Sequence, residues 1–149
     1  MIAIFQHGGS GNSALFLHVL GASTLFGGLI VFVTLAVVGR RRPDVSRLLF
    51  RTWLWLILPA FIVMRVAAEW VLSSEKKDLP GLGDKGWVGV GFFVADFGAI
   101  LLLIIGIASF VAARRGGGGR AATVAVAVGA LYLIALAVAV FAMSAKPGS

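Results

Sequence analysis

Four long apolar runs constrain this chain more than any other feature: Ala14 to Val38, Leu48 to Leu72, Trp87 to Ala113 and Ala121 to Met143. Each exceeds the ~20 residues that a helix needs to cross the hydrocarbon core of a bilayer. The composition agrees, with 60% hydrophobic and 13% charged residues, where a soluble domain carries roughly a quarter charged residues. The expected fold is all-α: a single integral membrane domain over residues 1–149, arranged as a four-transmembrane-helix bundle. Within the last run, Val124-Ala125-Val126-Ala127-Val128 alternates like a strand. A barrel strand would need only ~9–11 residues and a polar face, and this run has neither feature, so it reads as helix. The absence of cysteine removes disulfides, thiolate metal sites and thiol catalysis.

The charged residues sort by position. Arg40, Arg41, Arg42 and Arg47 lie between the first two runs, with Arg51 just inside the second, and Arg114, Arg115 and Arg120 lie between the third and fourth. The positive-inside rule puts these basic loops in the cytoplasm and both termini outside. In the connection from Ser73 to Gly86, Lys76, Lys77 and Lys85 are balanced by Glu75, Asp78 and Asp84, as suits the outer side. The net charge of +7 is therefore accounted for by membrane topology and calls for no nucleic acid partner. Trp70 and Trp87 fall at the outer interface and Trp53 and Trp55 at the inner one, as in an aromatic belt. No cleaved signal peptide is expected, because Met1 to Ser13 has no basic start and the apolar stretch that follows is too long for one. The expected location is a bacterial inner or plasma membrane, with the lipid bilayer as the first partner and a homo-oligomer or membrane complex as the second.

Small residues let helices approach closely in lipid, where hydrophobic free energy does not drive their association. Gly21, Ala22, Gly27 and Gly28 supply them in the first run, and Ala121, Ala125, Gly129, Ala135 and Ala139 in the last. Pro59 removes the bond its nitrogen would donate to the Trp55 carbonyl, which predicts a kink in the second helix. Gly116-Gly117-Gly118-Gly119 reads as a short flexible tether; it lacks the Lys-Ser/Thr ending of a phosphate loop.

Four ionisable side chains remain inside the apolar runs: His18, Arg65, Glu69 and Asp96. At ~1.5 Å of rise per residue they lie roughly 6, 10, 5 and 13 Å in from the outer ends of their helices, a single layer fed by three helices. Such groups are costly in lipid and should face protein or water. Arg65 and Glu69 share a helix face, and helical side chains lean toward the N-terminus, so Arg65 leans inward toward Asp96. An Arg65–Asp96 ion pair is expected, with Glu69 nearer His18. His7, eleven residues before His18, sits among Gly8, Gly9 and Gly11, which reads as a loop that could fold over the outer mouth. Two imidazoles with a carboxylate suit a divalent metal, and two imidazoles suit haem b; the spacing does not choose between them. Tyr132, near the middle of the fourth run, needs an acceptor for its hydroxyl. No nucleophile, base and orienting group occur together, so the sequence supports no hydrolytic chemistry and no catalytic residue is assigned.

Leu17-His18-Val19-Leu20-Gly21 followed by Phe26-Gly27-Gly28 resembles the first-helix pattern of several small bacterial membrane families. These are predicted four-helix integral membrane proteins of unknown function, the membrane domain of copper-resistance protein D, and the HemJ-type protoporphyrinogen oxidases. The likeness covers about a dozen of the 149 residues. In the oxidases the first-helix histidine is associated with haem, which the resemblance would carry to His18. This chain departs from them in having Leu25-Phe26 where a tryptophan usually precedes the glycines, and in lacking their membrane-embedded lysine. Three functions are therefore expected in order: a non-enzymatic subunit or interaction module held together by the outer-leaflet cluster, a haem- or metal-binding protein using His18, and an ion or proton conductor working as an oligomer.

Overall fold

A computed structural model describes residues 9–39, 42–75 and 86–145. Helix α1 covers Gly9–Val38 and α2 covers Pro43–Thr52, which runs through a π-helical turn, Trp53–Ile57, into α3, Leu58–Glu75. Helix α4 covers Gly86–Arg114 and α5 covers Gly119–Ala145. Four helical spans are long and apolar enough to cross a membrane: Asn12–Val38, Pro43–Ser74, Val88–Arg114 and Gly119–Ala142. No strand occurs among the described residues.

Two of the helix starts come a full turn or more before the apolar runs. Helix α1 takes in Gly9 and Gly11, which the sequence placed in a loop. A first turn has backbone N–H groups without helical partners in any case, so polar and glycine residues are tolerated there. The second span begins at Pro43 rather than Leu48, because proline is favoured in the first turn, where its missing N–H breaks no bond, and Asp44 follows in that turn. Arg47 and Arg51 thus lie on the exposed side of α2 while Ser46 and Leu49 are buried.

Pro59 does not break the second span. In a regular helix its ring would collide with the turn carrying the Trp55 carbonyl. Here the chain widens just before it, with the Leu58 N–H reaching back to the Trp53 carbonyl. The span also changes neighbours across this turn: α2 packs on α4, whereas α3 packs on α1 and makes almost no close backbone approach to α4. Helix α5 lies against both α1 and α4.

Side chains fix this exchange of partners. Phe50 stacks on Trp53 at 6.0 Å and tilts against Phe110 at 5.3 Å, and the Arg114 guanidinium covers the Phe110 ring. The Trp53 indole N–H donates to the Leu102 carbonyl at 3.0 Å, and its ring occupies the space that a side chain at Gly106 would fill. Trp53 is accordingly half-buried and bonded within the bundle, while Trp55 and Trp70 are exposed. On the other side, a Cβ at Gly21 would lie 2.7 Å from the Met64 nitrogen and 3.1 Å from the Ala60 oxygen. Only glycine lets α1 and α3 come this close.

The tetraglycine has a defined path rather than the form of a loose tether. All four residues have positive φ, from 70° to 89°, a conformation costly for any residue with a Cβ. Gly116 ends α4 in the left-handed region and the Gly117 N–H closes on the Ala112 carbonyl at 2.9 Å, which satisfies an end carbonyl of the helix. Gly117 also lies against Arg42 and Ser46, so the two arginine-rich connections meet at one end of the bundle.

Candidate functional site: an ion-paired cleft in the half opposite the arginine-rich end

Beyond the π turn, α3 stays with α1 while α4 stays with α5, and between them the spans leave a cleft of about 380 Å³, partly open and lined by residues of all four. Its walls are apolar apart from His18 of α1 and Arg65 of α3.

Arg65 closes the gap between the diverging helices. Its Nη2 donates to Asp96 Oδ1 of α4 at 3.0 Å and its Nη1 to Glu69 Oε1, one turn along α3, at 2.6 Å. The guanidinium also stands over the Phe92 ring, 4.8 Å from its centre. The expected Arg65–Asp96 contact is present. The inward lean of a helical side chain gives Arg65 the reach to cross to α4. The arginine is mostly covered, at 27% exposure, but Glu69 and Asp96 remain 57% and 65% exposed on the outside of the bundle. The three groups carry one formal positive and two negative charges.

His18 does not join this ion-pair group. Its Nδ1 lies 3.1 Å from the Met64 carbonyl oxygen. A carbonyl only accepts, so Nδ1 carries the proton and in the neutral ring Nε2 is left as an acceptor. Gly21, one turn along α1, permits this contact by bringing the Met64 backbone within reach. Glu69 is therefore the partner of Arg65, not of His18. The two polar stations are nevertheless adjacent: Met64 and Arg65 are consecutive, and His18 and Arg65 line the same cleft.

Among the remaining candidates, His7, Arg40 and Arg41 lie outside the described residues, so a His7–His18 pair for haem or metal does too. Among the described residues no group of three histidine, aspartate or glutamate side chains is gathered as a metal site. Of the arginines assigned to loops that are among the described residues, Arg47 and Arg120 are on helices, Arg114 is the last residue of α4, and Arg42 and Arg115 lie between helices. Tyr132 is fully buried against Gly98, and its hydroxyl finds no partner among the described residues. The sequence reading missed Phe92 and the Met64 carbonyl. Phe92 was within reach, because it lies four residues before Asp96 on the same helix face. A backbone acceptor leaves no such trace.

Comparison with protein-family models, with curated proteins and with solved structures finds no match.

Proposed function

We propose that the chain is a non-enzymatic, multi-pass subunit of a bacterial inner or plasma membrane, with both termini outside, that works by association through the face bearing Glu69 and Asp96. The observation that carries this reading is the exposure of those two carboxylates, 57% and 65%, within helical spans. A carboxylate facing lipid at the centre of a span costs about 2.5 to 3.5 kcal/mol on insertion scales, a cost that falls more on Asp96 than on the shallower Glu69, so such groups turn toward protein or water. The flanking residues are apolar and exposed: Val66 on α3, and Phe93, Phe97 and Ile100 at helical spacing around Asp96 on α4. Lipid would cover the apolar residues, but the carboxylates set among them make the face a poor lipid surface.

Charge selects the kind of partner. Two copies meeting through the same patch would oppose two groups each of formal charge −1, an unfavourable contact in a low dielectric. A neighbouring helix bearing a lysine or arginine at the matching depth is the complement. Native gel electrophoresis after mild solubilisation of the source membrane tests this. The wild-type chain is expected in a complex well above its 15.6 kDa monomer, and the doubly neutral Glu69→Gln/Asp96→Asn variant as the monomer. A wild-type chain that runs as a monomer, or a complex unchanged by the double substitution, would refute the reading.

A further inference from the structure

The cleft carries an inference independent of the associating face. A volume of about 380 Å³ falls in the range of small-molecule sites, which are roughly 300–1,000 Å³, mostly apolar, with a few fixed polar groups. Here the fixed groups are two, and their chemistry is selective. His18 is held at Nδ1 by the Met64 carbonyl, so its orientation is set and Nε2 presents a lone pair that makes no hydrogen bond among the described residues. That atom asks for a donor. Arg65 is already engaged by two carboxylates, and the excess negative formal charge of the group disfavours an anionic head. Apolar walls from all four spans suit a hydrocarbon body.

We propose that the cleft binds a neutral membrane amphiphile with a hydroxyl head, the hydroxyl donating to His18 Nε2 and the tail lying along the apolar walls. Two sources share this chemistry: a lipid alcohol and an alkylated hydroquinone. Both would enter from the bilayer. The selectivity comes from geometry: Gly21 brings α1 onto Met64, Met64 fixes the imidazole, and the turn at Trp53–Ile57 takes α3 away from α4 and leaves room for the tail.

The test uses the full chain in nanodiscs of phosphatidylcholine, with bound molecules counted by native mass spectrometry for 1-dodecanol, its methyl ether and dodecanoate. One dodecanol per chain is expected. The ether, which lacks the donor, and the carboxylate should each bind about tenfold more weakly, the scale of one unmet hydrogen bond. His18→Phe should abolish the preference for alcohol over ether, and His18→Gln, which keeps an acceptor, should retain it. Ala68→Phe puts bulk into the cleft while leaving His18 and Arg65 in the sequence and should remove binding of all three probes, so the proposal stays open to refutation if a His18 variant fails to fold. In a parallel arm, tighter binding of an alkylated hydroquinone than of dodecanol assigns the quinol source, and the reverse assigns the lipid alcohol. Equal binding of alcohol and ether by the wild-type chain, an alcohol preference that survives His18→Phe, or binding unaffected by Ala68→Phe would each overturn the proposal. So would a Soret band in the purified protein that disappears in His18→Phe, because Nε2 would then belong to an iron.

Discussion

At the scale of single residues, the polar groups within the spans fall into two kinds. Arg65 is satisfied: two carboxylates and the face of Phe92 surround it, and its bridge to Asp96 ties α3 to α4 where their backbones diverge. Removing the arginine would leave two carboxylates without their cation, whereas removing Asp96 leaves Arg65 with Glu69, so the pair is asymmetric in its consequences. Tyr132 is of the other kind. Its ring fills the space beside Gly98, but its hydroxyl is buried without a partner among the described residues. A buried hydroxyl that makes no hydrogen bond destabilises, and its removal leaves the packing intact. Tyr132→Phe is therefore expected to raise stability by about 1 kcal/mol, read from thermal or denaturant unfolding in detergent. A loss of stability would mean that the hydroxyl is bonded after all.

At the scale of helices, close approach is set by where glycine stands. Gly21 faces the Met64 backbone, while a Cβ at Gly27 would meet nothing within 4 Å. The two positions give a matched prediction. Gly21→Leu should force α1 from α3, break the His18–Met64 contact and cost about 1–3 kcal/mol through overpacking. Gly27→Ala should be neutral or gain up to ~1 kcal/mol from helix propensity. Equal effects in unfolding measurements would contradict the packing described. These elements also show what could be read beforehand. The spans followed from apolar run length alone, and the Arg65–Asp96 contact from depth and side-chain lean, because both depend on residue counts along a helix that a sequence displays directly. Other features had no such signal. Pro59 announces a disturbed helix but not that a π turn at Trp53–Ile57 absorbs it. Trp53 suits an interface or a core equally well until Gly106 is known to lie opposite. Four successive glycines permit many paths, and the left-handed one depends on the neighbouring helix end and on Arg42 and Ser46.

At the scale of the whole molecule, the bundle has two unlike ends. At one, the arginine-rich connections meet and Phe50, Trp53 and Phe110 lock α2 to α4. Toward the other, the second span has crossed to α1, and the cleft, the ion-paired group and the exposed carboxylates share one region. On the proposed function that region lies within the bilayer, in the half away from the arginines. Because the chain has no cysteine of its own, single-cysteine labelling with a membrane-impermeant maleimide in intact cells tests it most directly. Ser73→Cys should label from outside, Arg115→Cys only after the cells are opened, and Phe93→Cys, beside Asp96, from neither side. Labelling of Phe93→Cys as fast as Ser73→Cys, or an exchange of behaviour between Ser73→Cys and Arg115→Cys, would contradict the account.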